Sequence, residues 1–191
     1  MTKRLALLVL TGLLSACASN TTPPSNMENM CDILSEKSGW KDALEKARSR
    51  WGAPPQIVLS IIYQESRFKH DAKPPKDHLL WVIPWGRVSS AYGYPQAKDE
   101  VWGEYKSQAG STFASRDNFA DAADFVAWYM DKARQINGTS KWDAYNQYLN
   151  YHEGWYGFQR GTYSSKSWLK NVALKVKARA EQYGAQYVGC R

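Results

Sequence analysis

Residues 57–68 read Ile-Val-Leu-Ser-Ile-Ile-Tyr-Gln-Glu-Ser-Arg-Phe, and this stretch predicts an apolar helix with one acid in its stripe. At 3.6 residues per turn, Glu65 follows Ile61 by four positions and Val58 by seven, so the three side chains point into the same half of the helix. Burial disfavours a charged carboxylate and raises its pKa. The pattern therefore predicts that Glu65 keeps a proton near neutral pH and acts as a general acid.

A structural interpretation of Glu65 stays open from the residues alone. The glutamate stands near the end of the predicted helix, where a partly exposed carboxylate can pair with Arg67 or Lys69. We favour the functional interpretation, because carboxyl groups in apolar surroundings cluster at functional sites.

The first 30 residues have the composition of an export signal followed by a tether. Two basic residues precede an apolar run over 5–14, which is too short to span a membrane. Residues 14–17 read Leu-Ser-Ala-Cys and resemble the lipobox of bacterial lipoproteins, which implies a signal peptide over 1–16 and a lipid on Cys17. The alternative is an ordinary signal peptide with a coincidental cysteine. Residues 17–30 lack apolar periodicity and predict a flexible, lipidated tether.

A lipid on Cys17 implies a membrane partner and a place in the cell envelope for the domain over 31–191. In Gram-negative families, an alanine after the lipidated cysteine usually goes with outer-membrane sorting, and Ala18 matches that pattern. The resemblance therefore implies anchoring at the periplasmic face of the outer membrane. The tether would reach roughly 40 Å when fully extended.

Charge and cysteine content limit the possible partners. The net charge of +7 suits an anionic polymer, and the export signal disfavours nucleic acid, which leaves peptidoglycan and acidic lipid headgroups. With Cys17 assigned to lipid, Cys31 and Cys190 remain at the two ends of the folded region, where an exported protein can oxidise them. We predict a disulfide between them, with two unpaired thiols as the alternative.

Helical periodicity dominates the rest of the chain and predicts a mainly α, single-domain fold. Between residues 69 and 116, proline and glycine interrupt any long helix. That segment is predicted to be largely irregular and to form one wall of a cleft, with a short strand near 79–83 and a short helix near 98–106. Five other helices are predicted. The first covers 40–51 and ends at Gly52, and the second starts at Pro54 and Pro55. The third covers 119–136, with a cap at Asp117 or Asn118 and a stop at Gly138, and the last two cover 141–152 and 166–183, the latter ending before Gly184.

Three short motifs follow one another along the chain: Glu65-Ser66 at the end of the predicted apolar helix, residues 90–96, and residues 150–154. Together they resemble the SLT-type lytic transglycosylases, lysozyme-like enzymes that cleave peptidoglycan. Glu65 and Ser66 match the Glu-Ser signature of that family. Residues 90–96, Ser-Ala-Tyr-Gly-Tyr-Pro-Gln, resemble its Gly-Leu-Met-Gln element, and residues 150–154, Asn-Tyr-His-Glu-Gly, resemble its Ala-Tyr-Asn-Ala-Gly element. Pro95 and His152 depart from the family pattern. The resemblance implies a lysozyme-like fold over residues 40–183.

The resemblance also implies roles for particular residues. Glu65 would be the catalytic acid and then the base, and Tyr151 the hydroxyl that contacts or orients it. A larger set would bind the glycan strands of peptidoglycan: Ser66, Gln96, Tyr151 and His152. From the residues alone, Tyr151 is equally a core tyrosine, and Gln96 a solvated turn residue.

The reaction implied by the resemblance is cleavage of the β-1,4 bond between N-acetylmuramic acid and N-acetylglucosamine with formation of a 1,6-anhydro ring. The enzyme would then be a lyase that acts on a polysaccharide. One carboxyl suffices for this reaction, since the acetamido group of the substrate can stabilise the developing charge.

Two other functions fit the same sequence. A muramidase-type hydrolase would use a second carboxyl, for which the candidates are Asp71, Asp77, Asp99, Glu100 and Glu153. A non-catalytic peptidoglycan-binding lipoprotein would keep the cleft without the chemistry. We expect no metal, because His152 and Glu153 begin like a zinc-protease helix but Tyr156 stands where the second histidine would be. We also expect no cofactor, since the sequence contains no Gly-Lys-Ser/Thr phosphate loop.

Overall fold

The structure is a computed structural model, and it describes residues 21–79, 83–87 and 89–190. The predicted signal peptide over 1–16, Cys17 and Ala18 lie outside the described residues, as does Trp81 of the predicted irregular segment. No helix in the described ranges has both the length and the apolar character needed to cross a membrane.

Helices dominate the architecture, as predicted, and one small hairpin accompanies them. The elements are α1 (Met30–Glu36), α2 (Trp40–Trp51), α3 (Pro55–Ser66), β1 (Lys76–Leu79), β2 (Ile83–Arg87), α4 (Asp99–Gln108), α5 (Phe119–Asn137), α6 (Ala144–Glu153), α7 (Trp155–Gln159) and α8 (Ser167–Tyr187). β1 and β2 pair antiparallel, with Lys76 opposite Arg87 and an irregularity before His78. The single strand predicted near 79–83 is therefore a hairpin whose strands lie on either side of 80–82.

Helix α3 lies at the centre of the domain. It packs against α2, α5 and α8, and α8 also covers α6. Ile57, Val58, Leu59, Ile61 and Ile62 are all buried, so α3 is apolar on every face that meets a neighbour. The buried core and its mainly helical elements make one domain in which the C-terminal ends of α3 and α6 meet.

Local capping chemistry sets most of the helix ends. Gly52 ends α2 in the left-handed conformation at φ 68°, and Gly138 ends α5 in the same way. The side chain of Asn118, rather than Asp117, accepts hydrogen bonds from the first amides of α5. Pro55 fills the first position of α3, where its missing amide hydrogen is not needed.

Two helix boundaries differ from those predicted by three residues or more. Helix α6 begins at Ala144 instead of 141, because the Asp143 side chain accepts from the amide of Asn146 and caps the helix there. Helix α8 continues through Gly184 to Tyr187 instead of ending at 183. Gly184 keeps a helical conformation and lies close to α3, where an added Cβ would stand 3.5 Å from the Gln56 side chain.

The last residues of the segment predicted as a tether lie on the domain. The Ser25 hydroxyl donates to Glu36 at 2.6 Å, and Glu28 pairs with Arg179 of α8 at 2.8 Å. Helix α1, which was not predicted, starts inside that segment at Met30. The composition of 17–30 gave no sign of these long-range contacts, because each depends on a partner more than ten residues away.

The predicted disulfide is present. Cys31 of α1 is bonded to Cys190, which follows α8, and their Cα atoms are 5.4 Å apart across a sequence separation of 159. The bond holds the start of the folded chain against its end.

Candidate active site

Glu65 is the penultimate residue of α3, and its carboxyl faces a cleft. Burial raises the pKa of this carboxyl from 4.5 to about 7, although a hydrogen bond from Tyr148 opposes part of the shift. The residue keeps some accessible surface because it faces the cleft, whereas protein surrounds it on the other sides. The pKa of the Glu65 carboxyl is therefore raised by its apolar surroundings, as the sequence pattern predicted.

The cleft has a volume of about 460 Å³, and four parts of the chain line it. Helix α3 supplies Glu65, and residues 91–101 supply the wall predicted from the irregular segment. Phe125 and Tyr129 of α5 form the apolar side, and residues 151–154 at the end of α6 close the remaining side. The cleft is of the size that binds small ligands in proteins.

A larger groove lies at the opposite end of α3. Its volume is about 570 Å³, and Gln56, Trp142 and Lys177 are among the residues that line it. Gln56 precedes Glu65 by nine residues on one helix, so the two sites are about 14 Å apart along the axis. We assign the chemistry to the smaller cleft, because Glu65 and the motif residues Gln96, Tyr151 and His152 line it.

The hydroxyl that bonds to Glu65 belongs to Tyr148, not to Tyr151. Tyr148 donates to the Glu65 carboxylate, and burial, together with the nearby negative charge of Glu65, raises the pKa of its own phenol well above the ordinary value. The Tyr151 hydroxyl donates instead to the carbonyl of Pro95 at 2.5 Å. Tyr151 still lines the cleft, and its ring lies 5.0 Å from that of Tyr129. Tyr148 was missed because neither its residue type nor its spacing distinguishes it from the other tyrosines of α6.

Gln96 lies where the turn expected around Gly93 and Pro95 meets the cleft. Its backbone is left-handed at φ 48°, and its side-chain amide donates to the carbonyls of Ala72 and Gly93, each at 2.9 Å. Gln96 therefore both lines the cleft and holds the turn in place.

Ser66 is buried and faces its own helix. Its hydroxyl donates to the carbonyl of Ile62 at 3.1 Å, one turn earlier in α3. This hydrogen bond gives Ser66 a structural position beside Glu65 and does not direct its hydroxyl into the cleft.

Glu153 also lines the cleft but is held as an anion. Burial by itself would raise the pKa of its carboxyl, but hydrogen bonds from Lys166, Thr162 and His152 outweigh this and hold the pKa at about 2. Lys166 Nζ lies 2.8 Å from both carboxylate oxygens, and His152 Nδ1 lies 3.0 Å from one of them. An anion held in this way has no proton to give at neutral pH. Glu100 lines the same cleft and is exposed.

His152 lies at the rim of the cleft. Its ring contacts Trp168 edge-on, with the ring centres 5.2 Å apart. Within the described ranges, no three His, Cys, Asp or Glu side chains come together in a way that would hold a metal ion.

The fold and the site together define a mainly helical, lysozyme-like domain with one protonatable carboxyl in a cleft. A family model for the transglycosylase SLT domain matches residues 5–190, which is almost the whole chain. The chain therefore belongs to the transglycosylase SLT domain family, as the three motifs suggested. At the level of the family this means lytic transglycosylase activity with peptidoglycan as the substrate. Searches among curated proteins and solved structures give no match.

Proposed function

We propose that this protein cleaves the β-1,4 bond between N-acetylmuramic acid and N-acetylglucosamine and leaves a 1,6-anhydro end, with Glu65 as both acid and base. The observation that carries the proposal is the Glu65 carboxyl in its cleft, with a pKa of about 7. A group with that pKa gives and accepts a proton near neutral pH with little cost either way.

In the first step, protonated Glu65 transfers its proton to the glycosidic oxygen. The bond between that oxygen and C1 of the muramic acid breaks, and positive charge develops on the sugar ring. The acetamido oxygen of the substrate stabilises this charge. Tyr148 donates a hydrogen bond to the carboxylate that Glu65 has become, which stabilises the anion until the second step.

In the second step, the ionised Glu65 removes the proton of the muramic acid 6-hydroxyl. The freed oxygen forms a bond to C1 and closes the 1,6-anhydro ring, so Glu65 regains its proton and no water is consumed. Phe125, Tyr129 and Tyr151 form an apolar side of the cleft that disfavours a competing water molecule.

The state of Glu153 supports this reaction over hydrolysis by two carboxyl groups. Its carboxylate oxygens are bonded to Lys166, Thr162 and His152, so few lone pairs remain to activate a water molecule. A Glu153 carboxylate engaged in this way matches a mechanism in which the substrate supplies its own nucleophile.

Digestion of purified murein tests the proposal. Wild-type protein should release fragments with 1,6-anhydro ends, identified by mass, and Glu65→Gln should lower the rate by about a hundredfold or more. Glu181→Gln is the matched control, because Glu181 is exposed on α8, where it pairs with Lys177 four residues earlier. Fragments with reducing ends would identify a hydrolase. Binding without cleavage by the wild type would identify a wall-binding protein.

We also propose that a lipid on Cys17 anchors the domain to the envelope, at the periplasmic face of the outer membrane. Support comes from the lipobox-like residues 14–17 and the basic, apolar start of the chain. Cells expressing the protein should incorporate labelled palmitate into it, and Cys17→Ser should abolish the label. Labelling that persists in Cys17→Ser refutes the anchor.

A further inference from the structure

Trp168 is a large apolar side chain that remains exposed beside the cleft. It keeps 56% of its surface accessible, whereas Trp40, Trp102, Trp128 and Trp155 are buried. Its indole packs edge-on against His152, whose ring lines the cleft next to Glu153. An exposed indole at the rim of a ligand cleft indicates a contact surface for ligand.

The position of Trp168 relative to the cleft is fixed by an ion pair. The Glu153 side chain, only 3% exposed, binds Lys166 Nζ through both oxygens at 2.8 Å. Lys166 is the residue that precedes the first turn of α8, and Trp168 lies in that turn. Glu153 also holds the His152 ring through Nδ1 at 3.0 Å. One carboxylate therefore holds the His152 ring directly and also holds the start of α8, which carries Trp168, before any ligand binds. This lowers the entropic cost of stacking on the indole.

A glycan strand is longer than the cleft. Sugar units that flank the cleaved bond must lie over the rim on one side or the other, and the rim beyond Glu153 is formed by His152 and Trp168. The hydrophobic face of a pyranose ring packs on an indole face in the same way as other flat apolar groups do.

We propose that Trp168 is a stacking platform for a pyranose ring of the glycan, outside the cleft, so that the glycan-binding surface extends from Glu65 over His152 to the start of α8. The ligand class is an N-acetylated, β-1,4-linked polysaccharide, and the inference rests on the function proposed above. His152 acts as a positioning residue, since its ring packs against the indole with the two ring planes 78° apart.

Binding measured without turnover tests the platform. Glu65→Gln is the background, and the probe is glycan strands purified from murein and freed of stem peptides, titrated at equilibrium. Adding Trp168→Ala should weaken binding about tenfold, which corresponds to the loss of one aromatic stacking contact. Trp168→Phe keeps a flat ring and should restore most of the affinity. Trp142→Ala is the matched control, since Trp142 is 68% exposed but lies in the groove at the other end of α3.

The outcomes separate this inference from the function on which it rests. Failure of Glu65→Gln alone to bind the strands overturns the proposed function and the platform together. Strong binding that Trp168→Ala leaves within about twofold overturns the platform alone. An equal loss of affinity in Trp142→Ala also overturns it. So does a loss of affinity in Trp168→Ala that accompanies a lower melting temperature and that Trp168→Phe does not restore.

Discussion

The hydrogen bond from Tyr148 to Glu65 should set the pH at which the enzyme loses activity. A hydrogen bond to a charged group contributes about 1.5–3 kcal/mol, and one pKa unit corresponds to 1.36 kcal/mol. The bond favours the ionised carboxylate, so its loss in Tyr148→Phe should raise the pKa of Glu65 by about one to two units above about 7. The acid must be protonated at the start of the reaction, so the alkaline limb of kcat/KM should move to higher pH by the same amount.

The assay is release of soluble fragments from purified murein, measured across the neutral and alkaline range. The rate on the plateau should fall about tenfold, because the ionised Glu65 that forms in the first step loses its donor. Tyr151→Phe is the comparison, since its hydroxyl donates to the Pro95 carbonyl and its loss should leave the alkaline limb in place. A limb that stays fixed in Tyr148→Phe, or that moves in Tyr151→Phe, refutes the assignment of Tyr148.

Three further changes probe the carboxyl, the turn beside the cleft and the disulfide. The stabilising contribution of the raised pKa of Glu65 is complete below 4.5 and is lost as the pH rises through about 7. Glu65→Gln cannot ionise, so it does not lose this contribution. The unfolding free energy of the variant minus that of the wild type, measured by denaturant titration, should therefore be about 3 kcal/mol higher at alkaline than at acidic pH. Gly93→Ala places a Cβ 2.2 Å from the Arg116 carbonyl oxygen at φ 74° and should cost about 2–5 kcal/mol, whereas Gly138→Ala has φ 68° but open space and should cost about 1 kcal/mol. Cys190→Ser should lower the unfolding free energy by about 5 kcal/mol in the chain-entropy model.

A different result would contradict each of these three predictions. A Glu65→Gln stability difference that does not change with pH would show that the carboxyl is not desolvated. Equal melting temperatures for the two glycine variants would contradict the close approach of Gly93 to Arg116. An additional loss on replacing Cys31 in the Cys190→Ser protein would show that the two cysteines do not act as one bond.

The sequence predicted the fold well wherever a local signal marks a helix. Gly52 and Gly138 end helices because glycine adopts the left-handed conformation without a Cβ penalty, and Asn118 begins one because its side chain reaches the first free amides. Gly184 gave the opposite result. There the glycine keeps a helical conformation where α8 packs on α3, and packing between helices has no signature in a single sequence.

The site was predictable in part for the same reason. The position of Glu65 follows from the phase of one helix, which a sequence pattern contains. The donor to Glu65 depends on the rotation of α6 relative to α3, which their shared packing on α8 determines. The sequence therefore indicated a tyrosine of α6 but selected Tyr151 instead of Tyr148. The ion pair of Glu153 with Lys166 joins residues that are 13 positions apart and separated by α7, so the engagement of both Glu153 oxygens could not be anticipated.

The bond between Cys31 and Cys190 has a mechanical consequence. A pull on the segment before Cys31 is divided at once between α1 and the end of α8, and residues 32–189 lie inside a covalently closed loop. Tension applied from the amino-terminal side cannot peel the helices away one after another. The load instead enters through α1 and α8 together. Because α8 packs on both α3 and α6, the two helices that carry Glu65 and Tyr148 are strained together rather than pulled apart.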